Sequence, residues 1–341
     1  MEKYTIKLIT TENEWENSIA NHPEANFLQS WYWGEFNKKL GKKVITSLLI
    51  GDSQTKGAML AIVEEAKRAR YLVIPGGPLI DWTNSELVDA CIKEIISIAK
   101  ANNCSFVRIR PQVIESEETL KIIVKHGFIK SPMHLTADLT SQLDITQTED
   151  DLLKNMRKNT RSEIKKALQS PITIETSDNP DDIQKFYEIQ LDTAKRQHFV
   201  PFSYDFLHIQ FENFRTKDLV KLYSAKVNNE TIAMAFIIFY GQEAVYHYGA
   251  STPLAREYPA AYLLQWEAIK EAKRRGLKKY NFWGVSPEGQ SDHRFYGVSI
   301  FKRGFGGKDI QYIQAHDLII NKSRYAINYC IETLRKKIRK L

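Results

Sequence analysis

The sequence predicts an α/β (α+β) chain of two tandem domains, each a mixed, largely antiparallel sheet flanked by helices. Three observations carry this. The 341 residues are long for one domain and comfortable for two, and a hydrophobic content of 43% supports packed cores without staples. Strand-type alternation comes in consecutive runs joined by short turns, which is the pattern of antiparallel meanders. The order of helices, meander, helix and strand then occurs twice, as a repeat of layout without strong residue identity between the halves. A doubly wound parallel sheet fits worse, because the meanders lack crossover helices. The expected division is 1–138 plus 312–341, which includes a C-terminal helix, and 139–311.

In chain order, Tyr4 to Ile9 alternates as a strand. Thr11 is placed to cap a helix through Trp15 and Ile19, with Glu14 completing a capping-box pattern. Ser30 and Gly41 bracket a Trp-rich helix as cap and stop. Val44–Ile50 and Gly57–Val63 are strands joined by Gly51-Asp52-Ser53, and Tyr71 opens an apolar strand running into Pro75-Gly76-Gly77-Pro78. An amphipathic helix from Ser85, a strand from Phe106 that Pro111 ends, and a short helix from Thr119 to His126 complete the first round. The pattern restarts near Leu139. Thr148 caps one strongly basic helix holding Lys154, Arg157, Lys158, Arg161, Lys165 and Lys166. A strand at Ile172–Glu175 and a helix from Asp181 through Arg196 follow. Leu219–Val227, Ile232–Phe239 and Ala244–Gly249 form the second meander. The chain ends in a basic amphipathic helix from Asn321 to Leu341. One helix-after-meander layout, used twice, points to tandem acyltransferase-like domains with mixed sheets.

The stretch from Tyr258 to Lys308 organises the second half. Ala260, Ala261, Leu264, Ala268 and Ala272 follow helical spacing, and Gly276 sits where a left-handed C-terminal cap belongs. Leu277 to Gly284 alternates as a strand, a polar loop spans Ser286 to Arg294, and a glycine-punctuated segment runs from Gly297 to Gly307. Gly304-Phe305-Gly306-Gly307-Lys308 offers backbone N–H groups to a phosphate. Lys302 lies between aromatics just before these glycines.

Composition narrows the classes. Eight histidines and three cysteines show no metal-ligand spacing, and Cys91 and Cys104 read as buried free thiols. The odd cysteine count and the absence of an export signal point to a cytoplasmic protein. No apolar run approaches the roughly 20 residues that span a bilayer. A net charge of +7 favours an anionic partner: nucleic acid, a phosphorylated substrate or an anionic membrane surface. Gly-x-Ser-x-Gly, His-Glu-x-x-His and Walker signatures are absent, so neither a metal nor a cofactor is expected.

Six ordered blocks carry a resemblance. They begin at Phe27 (Phe-Leu-Gln-Ser-Trp-Tyr-Trp-Gly-Glu-Phe), Asn159 (Asn-Thr-Arg-Ser-Glu-Ile-Lys-Lys-Ala), Tyr246 (Tyr-His-Tyr-Gly-Ala-Ser), Ala260, Tyr280 (Tyr-Asn-Phe-Trp-Gly-Val) and Gly297 (Gly-Val-Ser-Ile-Phe-Lys). Together the chain resembles the Fem family of peptidoglycan interpeptide-bridge aminoacyltransferases. The resemblance implies two tandem acetyltransferase-like (GNAT-like) domains. It implies transfer of an amino acid from aminoacyl-tRNA to the stem-peptide amine of a UDP-linked or lipid-linked muramyl peptide. The family's Phe-Lys pair matches Phe301-Lys302, and its meander tyrosines match Tyr246 and Tyr248. The chain lacks a charged heptad insertion and is similar to the short, armless members. Three positions depart from them. A substrate lysine of the first Trp-rich helix falls at Asn37, with Lys38 and Lys39 beside it. A substrate arginine falls at Phe202, with Arg196 nearby. An acidic residue at the end of the Phe106 strand is replaced by Arg110.

On this reading Lys302 is catalytic, a cation beside the carbonyl oxygen of the activated ester, and Phe301 holds it and excludes water. The residue-level alternative is a lysine snorkelling over Phe305 at the surface. Trp33, Lys38, Arg110, Arg196, Tyr246 and Tyr248 are the expected substrate contacts, the aromatics being equally at home in a core. Arg157, Lys158, Arg161 and Lys165 are expected on tRNA phosphates, with Arg335, Lys336, Lys337, Arg339 and Lys340 as a second basic set. Either segment reads equally as a solvated charged face. Peripheral contact with a membrane surface is a further expectation. An acyl-CoA-dependent N-acyltransferase of the same fold, and a non-catalytic RNA- or membrane-binding module, are the other two readings.

Overall fold

The computed structural model describes residues 3–66, 69–197 and 199–339. Its chain begins with β1 (Thr5–Leu8), α1 (Glu12–Ile19), α2 (Trp31–Lys39), β2 (Lys43–Gly51), β3 (Gln54–Ala66), β4 (Ala69–Gly76), β5 (Leu79–Ile80), α3 (Ser85–Ala101), β6 (Phe106–Pro111), α4 (Glu117–Lys125) and β7 (Phe128–Lys130). It continues with β8 (Leu139–Asp144), α5 (Glu149–Asn155), α6 (Lys158–Leu168), β9 (Thr173–Ser177), α7 (Ile183–Gln197), α8 (Tyr204–Arg215), β10 (Val220–Val227), β11 (Glu230–Tyr240), β12 (Glu243–Ser251), α9 (Ala260–Arg274), β13 (Lys279–Gly284), α10 (Tyr296–Arg303) and β14 (Lys308–Gln311). It ends with β15 (His316–Ile319) and α11 (Lys322–Arg339). Two compact units result: Met1–Asp138 with Gln311–Leu341, and Leu139–Ile310.

Each unit has its own sheet, with strand orders β1-β2-β3-β4-β6-β15-β7 and β14-β8-β13-β12-β11-β10-β9. In both, an antiparallel meander is followed by a helix and then by a strand parallel to the last meander strand: β4 with β6, and β12 with β13. The mixed α/β class and the repeated layout follow the sequence reading. The turns explain why. Asp52 and Ser53 take positive φ in the first meander, Asn228 and Asn229 do so in the second, and Asp and Asn tolerate that region. Gly41, Gly127 and Gly276, each just past a helix, have φ of 80°, 85° and 75°.

Each sheet is covered by its own apolar helices. In the first unit Leu87, Val88, Cys91, Ile95 and Ile98 of α3 pack against Leu72, Ile74, Val107 and Ile109. In the second, Leu264, Ala268, Ile269 and Ala272 of α9 pack against Ala235, Ile237 and Tyr280. Cys91 and Cys104 are buried free thiols, and Cys330 is exposed.

Several local expectations change. The single basic helix is two, α5 and α6, because Met156 and Arg157 are extended (ψ 151° and 141°). Met156 is buried there, and the Arg157 N–H donates to the Gly304 carbonyl at 2.9 Å, so a tertiary bond replaces the helical one. Thr11 makes no side-chain cap, and the Glu14 carboxylate pairs with Lys7 rather than reaching back to the cap. The sequence reading missed α8, although Ser203 caps it and Leu207, Phe211 and Phe214 line one face. The glycine-punctuated segment before Gly304 is the helix α10. Of the expected residues, His198 and Lys340 lie outside the described residues, as do the side chains of Lys337 and Arg339.

Candidate active site

The second unit places Lys302 on α10, and α10 is pinned from two directions. Ser299 Oγ donates to the Phe295 carbonyl at 2.7 Å and accepts from the Ser286 N–H at 2.7 Å, tying the helix to the chain leaving β13. Arg303 grips the Asp309 carboxylate through Nε at 3.0 Å and Nη2 at 2.6 Å, and also donates to the Ser286 carbonyl. Phe301 meets Tyr262 of α9 edge-on, with centroids 4.9 Å apart, and Phe305 at 5.4 Å. Phe301 thus anchors the helix against α9.

With α10 so fixed, Lys302 turns inward and only 9% of it is exposed. Its Nζ donates to the Gly284 carbonyl at 2.7 Å and stands 5.8 Å from the centroid of the Tyr246 ring. Burial, with no partner carboxylate, pulls its pKa from 10.5 down to about 7. This replaces the surface-snorkelling alternative.

The strands beneath Lys302 separate. β12 and β13 pair only from Glu243↔Lys279 to Val245↔Asn281. Past that point both strands bulge. On β12, Tyr246 pairs with Ile237 but Tyr248 with Phe236, leaving His247 as the extra residue. On β13, the register against β8 shifts between Asn281 and Gly284, and Trp283 takes a φ of 64°. Asn281 Oδ1 accepts from the Trp283 N–H at 2.9 Å, which stabilises the turn and aims the Gly284 carbonyl at Lys302. Gly249 is also required here: a Cβ on it would stand 1.8 Å from the Tyr246 hydroxyl oxygen.

The bulge puts Tyr246 and Tyr248, both expected substrate contacts, on opposite faces of the sheet. Tyr246 packs on the α9 side of the sheet, with the core that holds Ile237 and Phe305. Tyr248 packs on the opposite side, 5.5 Å from Phe236 and 4.8 Å from Phe202. Without the extra residue, period-2 alternation would have kept them together. Burial pushes the Tyr246 phenol up to about 12 and His247 down to about 3, so both are neutral near pH 7. Phe202, where an arginine was expected, stacks on Phe206 at 4.8 Å. Arg196 donates to the Ser251 carbonyl and to Thr193 Oγ1 at 3.3 Å, holding α7 against the end of β12.

The basic residues divide by role. Arg157, Lys158 and Lys165 are exposed. Arg161 is half-buried, and its Nη1 donates to the Lys154 carbonyl at 2.6 Å, closing the C-terminus of α5. The N–H groups of Gly304, Phe305 and Gly306 already donate to the carbonyls of Ile300, Lys302 and Arg303, so they are not offered to a phosphate. Cβ atoms at Gly306 and Gly307 would stand 2.9 Å from the Asn155 and Gln142 carbonyl oxygens, so these glycines serve close backbone packing.

In the first unit, Trp33 packs edge-on to Phe27 with centroids 5.6 Å apart, and its indole N–H is buried without an acceptor. Lys38 is exposed, pairs with Glu35 at 2.7 Å and covers the Trp31 ring at 4.7 Å. Arg110 has no exposed surface: it donates to Gln112 Oε1 at 2.6 Å and to the Ala137 carbonyl, and lies 5.2 Å from the Tyr312 ring centroid. The expected substrate contact is corrected to a buried clamp on the chain around residues 137 and 312. Among the described residues, no group of three His, Cys, Asp or Glu side chains is placed to hold a metal, and no helix is long and apolar enough to cross a membrane.

Comparison with known proteins decides the family. The profile of the FemAB family matches residues 10–231 and 221–333, nearly the whole chain.

The chain belongs to the FemAB family.

As a FemAB protein it is a transferase that forms amide bonds. A curated relative, the lipid II:glycine glycyltransferase of Staphylococcus aureus, is 23% identical over 412 aligned positions, covering 98% of this chain and 97% of that one. The crystal structure of FemX shares the fold with a TM-score of 0.86 at 19% identity, over 95% of this chain and 99% of that one. A tandem GNAT protein from the clavulanic acid biosynthesis pathway shares it more distantly, with a TM-score of 0.59 at 10% identity, over 92% and 98%. Tandem acetyltransferase-like units are therefore the architecture of this FemAB chain.

Proposed function

We propose that this FemAB protein transfers an amino acid from aminoacyl-tRNA to the stem-peptide amine of a peptidoglycan precursor, on the cytoplasmic side of the membrane. The observation that carries the reading is the buried ammonium of Lys302, held over Tyr246 where β12 and β13 part. In the reaction, the acceptor amine attacks the ester carbonyl, a C–N bond forms, the C–O bond to the tRNA ribose breaks, and the proton the amine loses ends on the departing ribose oxygen. Charge gathers on the carbonyl oxygen during the attack. A cation in a water-poor setting stabilises that oxygen more in the transition state than in the ground state. The growing negative charge also raises the lysine's pKa, so the ammonium becomes firmer as the reaction advances. Tyr246 supports the cation through its ring face, and Phe301 acts at one remove by seating α10. Arg157, Lys158 and Lys165 supply phosphate contacts for the donor. The relative's name supports a lipid-linked acceptor over a soluble UDP-linked one.

The test mixes the protein with charged tRNA and either a lipid-linked or a UDP-linked muramyl pentapeptide, and looks for the added residue by mass. Transfer is expected, and Lys302→Ala should lower it on the order of a hundredfold or more while acceptor binding persists. An acyl-CoA arm covers the neighbouring donor class. Transfer from acyl-CoA alone, or a fully active Lys302→Ala variant, overturns the reading.

A further inference from the structure

The C-terminal helix α11 carries an apolar stripe that nothing in its unit covers. Ile327 and Leu334 are each 59% exposed and Ile338 is 78% exposed. At the α-helical pitch these three lie within about 40° of one another around the axis. Its opposite face is committed. Tyr325 and Asn328 are buried, the Tyr325 hydroxyl donates to Asp317 Oδ2 at 2.9 Å, and Glu332 Oε2 accepts from Arg108 Nη2 at 2.7 Å. The helix is therefore held as a fixed amphipath, with its aliphatic stripe turned outward and the exposed Arg324 and Arg335 beside it. Seven Lys or Arg stand against one Glu between Lys322 and Lys340, in a chain whose net charge is +7.

We propose that α11 is an interfacial anchor that lays Ile327, Leu334 and Ile338 into the acyl boundary of an anionic bilayer. Aliphatic side chains in line, with basic residues beside them, match a surface that is apolar below and negative above. A phosphate backbone would use the basic residues and leave the stripe in water. A second copy would bring two strongly basic helices together. The inference is independent of the transfer chemistry, because neither substrate enters its test.

The full chain is sedimented with vesicles of phosphatidylglycerol and phosphatidylcholine, and separately with phosphatidylcholine alone. Binding to the anionic vesicles is expected, falling as salt rises. Ile327→Ser/Leu334→Ser/Ile338→Ser should weaken it on the order of a hundredfold with an unchanged melting curve, since all three side chains are exposed. A polarity-sensitive fluorophore on Leu334→Cys, in a Cys330→Ser background, should report an apolar environment with anionic vesicles only. The idea fails if the triple variant sediments like the parent or the probe stays in water. It also fails if light scattering shows the parent as a dimer that the triple variant dissolves, which would assign the stripe to a second copy.

Discussion

Lys302 carries its charge against its surroundings. Its pKa lies near 7 in the folded chain, against 10.5 for an open one, because burial removes water from the ammonium. Unfolding therefore takes up a proton between about pH 7 and 10.5. Stability rises with pH through that window and is lowest below it, at a cost on the order of a few kcal/mol near neutrality. Lys302→Met, which keeps the length without the charge, is expected to melt higher than the parent at pH 7 and to lose most of the pH dependence. Thermal melts of both proteins from pH 6 to 10 check this; equal midpoints at pH 7 would show that burial costs the ammonium nothing. Lys302 and its aromatic neighbours stood out in the sequence. Its depth did not, because that depends on Gly284, Tyr246 and the pinning of α10 by Ser286 and Asp309, which are contacts across the fold.

At the scale of elements, what sequence periodicity misses is where a regular element breaks. Alternation predicts that Tyr246 and Tyr248 share a face; an extra residue at His247 puts them on opposite faces. Charge pattern predicts one basic helix; the bond from the Arg157 N–H to Gly304 makes it two. That break leaves the start of α6 with Arg157 and Lys158 exposed. Lys158→Glu/Lys165→Glu should weaken tRNA binding and reduce the salt slope by roughly two, while the helix, whose buried side is Thr160, Ile164 and Ala167, stays formed. Filter binding across a salt series decides it, and a parent-like slope would remove α6 from the donor site. Where an element runs unbroken, as in α9, the pattern reads correctly, because one buried face dictates the period.

At the scale of the whole molecule, the chain closes its first unit with its last residues. Arg108 of β6 meets Asp317 of β15 through Nε at 2.7 Å and Nη2 at 2.9 Å, across 209 positions of sequence. Arg108 is 4% exposed and Asp317 is 0% exposed. Asp317→Asn removes half of a buried, bidentate pair and is expected to destabilise the fold by about 3–5 kcal/mol, read from urea unfolding. A loss near zero would mean that Glu332 alone neutralises the arginine. The sequence by itself determined the class of fold, the twofold recurrence of the layout, the family blocks and the lysine worth testing. Those rest on local period, turn chemistry and residue identity, all of which are properties of neighbours in the chain. Only the tertiary structure decided that Arg110 is a buried clamp, that the glycines after Arg303 make room for carbonyls, and that Lys302 faces Tyr246. These outcomes turn on burial and on partners far apart in sequence, and no short stretch of residues encodes what will be folded against it.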